Sequence, residues 1–232
     1  MSHSSFLYPF LDDDGGTAGA ELLGAIPLAD VGFDELVASA RSSWLLGLGL
    51  DHDTVHSNTE ALDRAATLLI GAANAGRTVF AIGNGGSACD ADRLVRLITG
   101  VVPARSLLDP ALLSALANDV GAARLFDRQI ETYVAASDVV VAFSTSGTSV
   151  NILAAIECAH RRGAKTIVFA GYGGASLQQN PCVDVCLSVE SASVHRIQES
   201  QGALTNELVS RVRALLETDP TPSRPPTEVI SP

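Results

Sequence analysis

The sequence predicts an α/β fold with a doubly wound, mainly parallel sheet flanked by helices. Three apolar segments rich in β-branched residues alternate with stretches of helical periodicity: TVFAIG at 78–83, DVVVAFS at 138–144 and KTIVFA at 165–170. A strand with one solvated face alternates between apolar and polar residues, whereas a strand buried on both faces is apolar almost throughout. These segments therefore indicate a sheet covered by helices on both sides.

The remaining elements are predicted from start and stop signals along the chain. Ser57 and Glu60 have the spacing of a capping box, and the helix that they open is expected to end at Gly76. A short apolar segment, SLLD, lies at 106–109. Periodicity predicts further helices over 87–99, 110–118, 122–135, 150–162 and 196–217, and a fourth strand over 183–189.

The two ends of the chain differ from this alternating region. Residues 1–30 form an N-terminal extension, residues 31–217 a domain that includes N-terminal helices, and residues 218–232 a disordered tail rich in Pro, Ser and Thr. In the extension, the apolar residues 6–10 precede an acidic run. We expect this peptide to cover a groove on its own protein or on a neighbouring subunit, with a foreign protein partner as the alternative.

Composition excludes several classes of partner. The chain of 232 residues carries a formal net charge of −11 with only 15 basic residues, whereas nucleic-acid surfaces need clustered Lys and Arg. No basic leader or long apolar run is present, so we expect a cytoplasmic protein with no direct nucleic-acid or membrane partner. The four cysteines lack the spacing of a zinc site.

Two similar loops follow the first and second predicted strands, and each opens a helix. Gly83, Gly85 and Gly86 let the backbone approach an anion, and the helix that follows presents unpaired N–H groups. One glycine turn alone is often only a tight connection, but two such loops in one parallel sheet are expected to converge at the same edge. The second loop adds hydroxyl donors for phosphate oxygens, which are Ser144, Thr145, Ser146 and Ser149.

Four motifs occur in the order GNGGSACDA, ALANDVG, FSTSGTSVNILAA and HRIQES. Over about residues 55–217 the chain resembles the sugar isomerase (SIS) family, and within it the sedoheptulose 7-phosphate isomerases, also called phosphoheptose isomerases. The resemblance implies a SIS fold, which is a flavodoxin-like three-layer sandwich, a homotetramer with sites assembled between subunits, and a sugar-phosphate ligand. Initiator-associating replication proteins of the DiaA type form a close non-enzymatic branch.

The resemblance also assigns roles to single residues. It implies that Ser87 holds the phosphate together with Ser144, Ser146 and Ser149, and that Asp119 and Gln198 lie near the sugar. Asn84 belongs to the first phosphate-binding loop, with Gly85 and Gly86, and also borders the sugar.

The family's proton-transferring positions hold other residue types in this chain. In the family, a His and a Glu four apart on the helix after GNGGS, and a His eight residues after the Gln of RIQE, supply acid and base and, in metal-containing members, zinc ligands. Here these positions are Arg93, Leu97 and Asn206, and Gln201 replaces a further His of many members. None of the three replacements exchanges a proton near neutral pH. We therefore expect a phosphosugar-binding protein in a sensing or accessory role, with no cofactor and no zinc.

Two alternatives remain open at this point. An active aldose/ketose isomerase would have to use His195 or Glu199, which flank Gln198, whereas a protein-interaction scaffold would keep the pocket only as a relic. His52 and His56 with the neighbouring aspartates resemble a loose metal cluster, but a solvated acidic loop explains them better.

Two packing expectations concern the helices beside the site. Leu97 lies outside the core stripe of its helix, so we expect a neighbouring subunit or the N-terminal peptide to cover it. Gly202 lies inside the last predicted helix, where glycine is unfavourable, and therefore predicts a close approach to a neighbouring helix. The apolar stripe of that last helix is expected to contain Ile197, Leu204, Leu208 and Leu215.

Overall fold

The structure is a computed structural model that describes residues 53–218. The N-terminal extension, its residues 6–10 and the tail after Thr218 lie outside the described residues, so the predictions made for them remain predictions. Within the described range, no helix combines the length and the apolar character needed to cross a membrane.

Five parallel strands form one sheet, in the order β2-β1-β3-β4-β5. This is the flavodoxin-like order, in which the chain starts near the middle and winds outward in both directions, so the predicted fold class is confirmed. The strands are β1 Val79–Gly83, β2 Ala104–Ser106, β3 Val139–Ser144, β4 Lys165–Ala170 and β5 Val185–Ser188.

Between Thr59 and Thr218, six helices and two short 3-10 turns connect and cover these strands. The 3-10 turns are Ala122–Arg124 and Tyr172–Leu177. The helices are α1 Thr59–Asn74, α2 Gly86–Ile98, α3 Pro110–Val120, α4 Asp127–Tyr133, α5 Val150–Arg161 and α6 Val194–Thr218.

The sheet separates two hydrophobic cores, because successive side chains of a strand point to opposite faces. On one face, α1, α2 and α6 pack against residues such as Val141 and Phe143. On the other face, α4 and α5 pack against residues such as Val140 and Val168. Helices α2 and α5, which follow the two predicted loops, therefore lie on opposite sides of the sheet.

Carboxylates bind the chain together at the amino edge of the sheet. Asp138 accepts hydrogen bonds from Thr78 N (3.0 Å) and Ala135 N (2.7 Å). Asp184 accepts from Thr166 N (2.8 Å) and from Lys165 Nζ (2.9 Å). Burial by itself would raise the pKa of Asp184, but the hydrogen bonds from Lys165 and Thr166 outweigh it and the pKa is lowered.

Three local predictions are wrong. The capping box does not form, because residues 53–57 already make a helical turn and the Ser57 hydroxyl donates back to Thr54 O. Residues 122–135 are not one helix, because Phe126 is buried in the second core between a 3-10 turn and α4. Leu215 is 40% exposed, and Val209 and Val212 are buried on α6 instead.

Candidate functional site

The two glycine- and serine-containing loops leave the sheet side by side. Strands β1 and β3 are neighbours, and Gly83 at the end of β1 pairs in register with Phe143 near the end of β3. The helices that follow lie on opposite faces of the sheet. In a doubly wound sheet, this arrangement defines a crevice at the carboxyl edge. This is the switch point of a doubly wound fold, where ligands of such sheets bind.

Both helices that open at the crevice begin without a side-chain cap. Gly85 precedes α2 and Ser149 precedes α5, neither makes a side-chain capping hydrogen bond, and neither first turn contains an acidic residue. In α3, by contrast, Asp109 accepts from Leu112 N at 2.8 Å. Ser87 N and Ala88 N already donate to Asn84 O and Gly85 O, and Ile152 N donates to Ser149 O. The N–H groups that precede these in each helix, with the positive ends of the dipoles, are left for an anion.

A reciprocal pair of amides joins the two loops. Asn84 Nδ2 donates to Asn151 Oδ1, and Asn151 Nδ2 donates to Asn84 Oδ1, both at 2.8 Å. Asn84 was predicted from sequence, whereas Asn151 in the first turn of α5 was missed. No sequence signal singles out Asn151, since its role depends on the pairing of β1 with β3.

The five predicted hydroxyls differ in how they are bound. Ser144 is buried and accepts from Gly147 N at 3.0 Å, so it shapes the turn. Ser146 accepts from Thr148 N at 3.3 Å and keeps its own proton to donate. Among the described residues, no side-chain hydrogen bond occupies the hydroxyl of Ser87 or Ser149, and Thr145 is half-buried beside them.

Glycines in the first loop are required by close packing. A Cβ at position 83 would overlap the carbonyl group of Ser87, and a Cβ at position 86 would overlap the side-chain amide of Gln198. Gly85 has a φ of 54°, which favours glycine. The structure therefore brings Gln198 from α6 next to the first loop, more than one hundred residues away in sequence.

Helices α2 and α6 run side by side in the same direction. Contacts progress from Gly86 with Gln198 to Arg93 with Gly202, and then to Leu97, whose carbonyl accepts from Arg213 Nη2 at 3.2 Å. The close approach predicted from Gly202 is confirmed, because a Cβ there would lie 2.7 Å from Arg93 Nη1.

The residues that the resemblance assigned to the family's acid and base positions, Arg93, Leu97 and Asn206, lie together on these two helices. Arg93 Nη2 donates to Asn206 Oδ1 at 2.8 Å. Leu97 is half-buried against the first core and lines an open hollow of about 390 Å³ together with Asn206 and Arg213. None of the two loops' residues lines this hollow. The predicted cover of Leu97 by the N-terminal peptide or another subunit lies outside the described residues and stays a prediction.

Two buried polar groups between α2 and α6 lack hydrogen-bond partners within the described part of the chain. They are Asp90 Oδ2 and both amide atoms of Gln201, a fully buried residue. Burial raises the pKa of Asp90, and the nearby Arg93 guanidinium opposes this shift. Asp90 was missed from sequence, where only Asp92 was weighed, and Asp92 forms an ion pair with Arg96.

The other predicted residues have few contacts with the crevice. Asp119, near the end of α3, is exposed and accepts from Asn118 Nδ2 at 3.0 Å. His195 is exposed in the first turn of α6. Glu199 is exposed, and its carboxylate accepts a hydrogen bond from Arg196 Nη1 at 2.6 Å on the same helix. Over residues 53–218, no hydrogen bond or ion pair joins any of the three to the two loops.

The suggested metal cluster falls partly outside the structure. Asp51 and His52 are not among the described residues. Over residues 53–218, no group of three or more His, Cys, Asp or Glu side chains is arranged to hold a metal ion.

Comparison with known proteins gives one consistent family. The SIS domain profile matches residues 50–171. The chain is 40% identical over 147 residues to a phosphoheptose isomerase of Citrifermentans bemidjiense, covering 60% of this chain and 76% of the relative. It is 33% identical over 178 residues to that of Akkermansia muciniphila, covering 72% and 93%.

A solved structure agrees with these matches. Phosphoheptose isomerase GmhA from Neisseria gonorrhoeae superimposes with a TM-score of 0.72 at 28% identity, over 77% of this chain and 99% of that one. The strand order, the loops at the β1/β3 switch point and the extent of these matches agree, and the chain belongs to the SIS domain family.

Proposed function

We propose that this protein binds a sugar phosphate, with its phosphate group in the crevice between the two loops. The observation that carries the proposal is the convergence of two uncapped helix N-termini, joined by the Asn84–Asn151 amide pair. Helix N-termini bind phosphate through their free N–H groups, so no Lys is needed. The names of the relatives support a phosphosugar as the class of ligand.

In this proposal each predicted residue has a distinct task. The backbone N–H groups of Gly85 and Gly86 and the hydroxyls of Ser87, Ser146 and Ser149 donate to phosphate oxygens, because Ser87 N already donates to Asn84 O. Ser144 and Thr145 shape the second loop. Gln198, which lies over Gly86, would contact the first part of the sugar. Asp119 is assigned to the sugar by family resemblance alone.

We further propose that binding is retained and isomerisation is lost, which suits a sensing or accessory role. Moving a proton between adjacent carbons requires an acid or base within hydrogen-bond reach. Arg93 is bound to Asn206, and Leu97 lies one turn further along α2. None of these side chains exchanges a proton near neutral pH.

An active isomerase is the second candidate function. The observation in its favour is that His195 and Glu199 are on the same end of α6 as Gln198, which contacts the first loop. Against it, the carboxylate of Glu199 is engaged by Arg196.

The test combines binding with turnover on the full chain. Sedoheptulose 7-phosphate is expected to raise the melting temperature, and Ser87→Ala with Ser146→Ala is expected to weaken binding at least about tenfold, because two hydrogen bonds to a charged group are lost. Thr67→Ala, an exposed hydroxyl on α1, is the matched control. No stabilisation by any sugar phosphate would favour a scaffold with a relic pocket. Turnover that disappears in His195→Ala or Glu199→Gln would establish the second candidate instead.

We also propose that the protein is a homo-oligomer, with a tetramer expected from the family. Helix α3 has the sequence PALLSALANDV, and none of its residues is buried by the part of the chain that the structure describes. Val150, next to the second loop, is 66% exposed. Apolar surface of this kind is typical of a subunit interface. Light scattering on the purified chain measures the assembly, and a monomer at micromolar concentration would contradict the proposal.

A further inference from the structure

Arg93 is an exposed cation in the groove between α2 and α6. It lies six residues after Ser87 on the same helix, which corresponds to about 9 Å along the helix axis. Helical side chains lean toward the N-terminus of their helix, so the Arg93 side chain leans toward the crevice. The distance is comparable to an extended sugar chain of about six or seven carbons, with C–C bonds of about 1.5 Å. Arg93 therefore lies where the end of a bound sugar remote from its phosphate would reach.

The guanidinium is held in place by α6. Asn206 accepts from its Nη2 at 2.8 Å, and the missing side chain of Gly202 leaves the space in which Nη1 lies. A long side chain normally loses considerable rotamer entropy when it binds a ligand. Arg93 has already lost part of this freedom, since the hydrogen bond to Asn206 holds its guanidinium in the space beside Gly202.

The positive charge of Arg93 is not neutralised by an ion pair within the described part of the chain. Asp92 pairs with Arg96 on the same helix and not with Arg93. Asp90 is the acidic group that interacts with Arg93, but burial opposes its ionised form and its Oδ2 makes no hydrogen bond. Leu97, one turn further along, offers no acceptor. An exposed and fixed guanidinium with unused donors is suited to a planar carboxylate, which it binds through two parallel hydrogen bonds.

We propose that the ligand carries a carboxylate at the end remote from its phosphate, so that the protein selects phosphorylated sugar acids through Arg93. This inference rests on the proposed function, because the phosphate end must occupy the crevice. A neutral sugar alcohol at the same place leaves the charge of Arg93 without a partner.

Two probes that differ at a single carbon test the proposal. 6-Phosphogluconate has a carboxylate at C1 and glucitol 6-phosphate has a hydroxymethyl group there, while the rest of the open chain is shared. Titration calorimetry on the full chain is expected to show at least about tenfold tighter binding of 6-phosphogluconate, as expected for a charge-assisted pair. Arg93→Gln is expected to abolish this preference and to leave the affinity for glucitol 6-phosphate within about twofold.

Two further variants separate recognition from general effects of charge or folding. Arg96→Gln removes a neighbouring exposed cation and is expected to keep the preference. Asn206→Leu keeps Arg93 but removes its anchor, and is expected to reduce the preference without abolishing phosphate binding.

The possible negative results can be told apart. Failure of both probes to bind the unaltered chain would contradict the proposed function. Equal binding of both probes, or a preference that survives Arg93→Gln, would overturn the carboxylate site and leave the phosphate site standing. If Arg93→Gln weakens the binding of both probes equally, the carboxylate site would also be overturned, since Arg93 would then act on the phosphate end of the ligand or on the fold.

Discussion

At the amino edge of the sheet, carboxylates have partners on several sides, whereas at the carboxyl edge polar groups are left available. Asp138 and Asp184 each accept at least two hydrogen bonds from neighbouring strand ends. At the opposite edge, α2 and α5 begin uncapped, and the nearby Asp90 and Gln201 hold buried atoms without partners in the described chain. A buried polar group without a partner costs stability, and under the proposed function the available groups of the carboxyl edge serve to bind the ligand.

The largest expected effect comes from removing the close packing at the carboxyl edge. Gly83→Ala places a methyl group against the backbone of Ser87, and the first loop has to move. We expect a loss of about 3 kcal/mol or more in the free energy of unfolding, measured by urea denaturation. Gly71→Ala on α1 is the matched control, since nothing lies within 4 Å of the added Cβ. There we expect a gain of about 0.5–1 kcal/mol. A Gly83→Ala protein as stable as the wild type would contradict the packing described here.

At the amino edge, Asp184→Asn tests whether a well-partnered carboxylate stabilises the sheet. We expect a loss of about 1–2 kcal/mol at pH 7, because the pair with Lys165 and part of the bonding to Thr166 disappear. The folded pKa is lowered, so the ionised form contributes stability above the unfolded pKa, and this contribution is lost as pH falls through the folded value. The free energies of unfolding of the wild type and of Asp184→Asn, measured at several pH values, should therefore become equal at acidic pH. If the two proteins still differ in stability at low pH, then the loss has a cause other than the charge of Asp184.

The smallest effect, with the opposite sign, is expected for Asp90→Asn at the carboxyl edge. Burial raises the folded pKa of Asp90, so folding disfavours its ionised form and the wild type loses stability as pH rises through that value. The variant should be more stable at pH 7 by a fraction of a kcal/mol, since the group is partly solvated. The difference should close as pH falls and the wild-type carboxyl gains a proton. If the variant is less stable at neutral pH, then Asp90 has a partner that stabilises its charge.

The sequence predicted the central sheet well because its strands carry their own signal. Strands β1, β3 and β4 each contain an unbroken apolar run, which is VFAI, VVVAF and IVFA respectively, and the burial of these runs on both faces follows from that. Strand β2 was missed because it has three residues, Ala104–Ser106, and lies at the sheet edge where no apolar run is needed. A continuous helix was predicted over 122–135 because the sequence periodicity does not reveal that Phe126 is buried in the second core, between a 3-10 turn and α4.

The sequence predicted only those residues of the candidate site whose roles depend on their immediate neighbours in the chain. The two loops follow from glycine and hydroxyl patterns within a few residues of each strand end. Asp90 and Asn151 were missed because their environments depend on α6 and on the β1/β3 pairing, which no local pattern contains. Arg93 was identified as a departure from the family, but its fixed position depends on Gly202 and Asn206.

The amide pair between Asn84 and Asn151 has a consequence for how the two halves of the crevice behave. Each amide is neutral, and each gives one hydrogen bond and receives one, so the link is insensitive to acidity and only weakly sensitive to ionic strength. The distance between the two loops is thus set before a ligand binds. Under the proposed function, little of the binding free energy of the anion is therefore spent on bringing the two loops together.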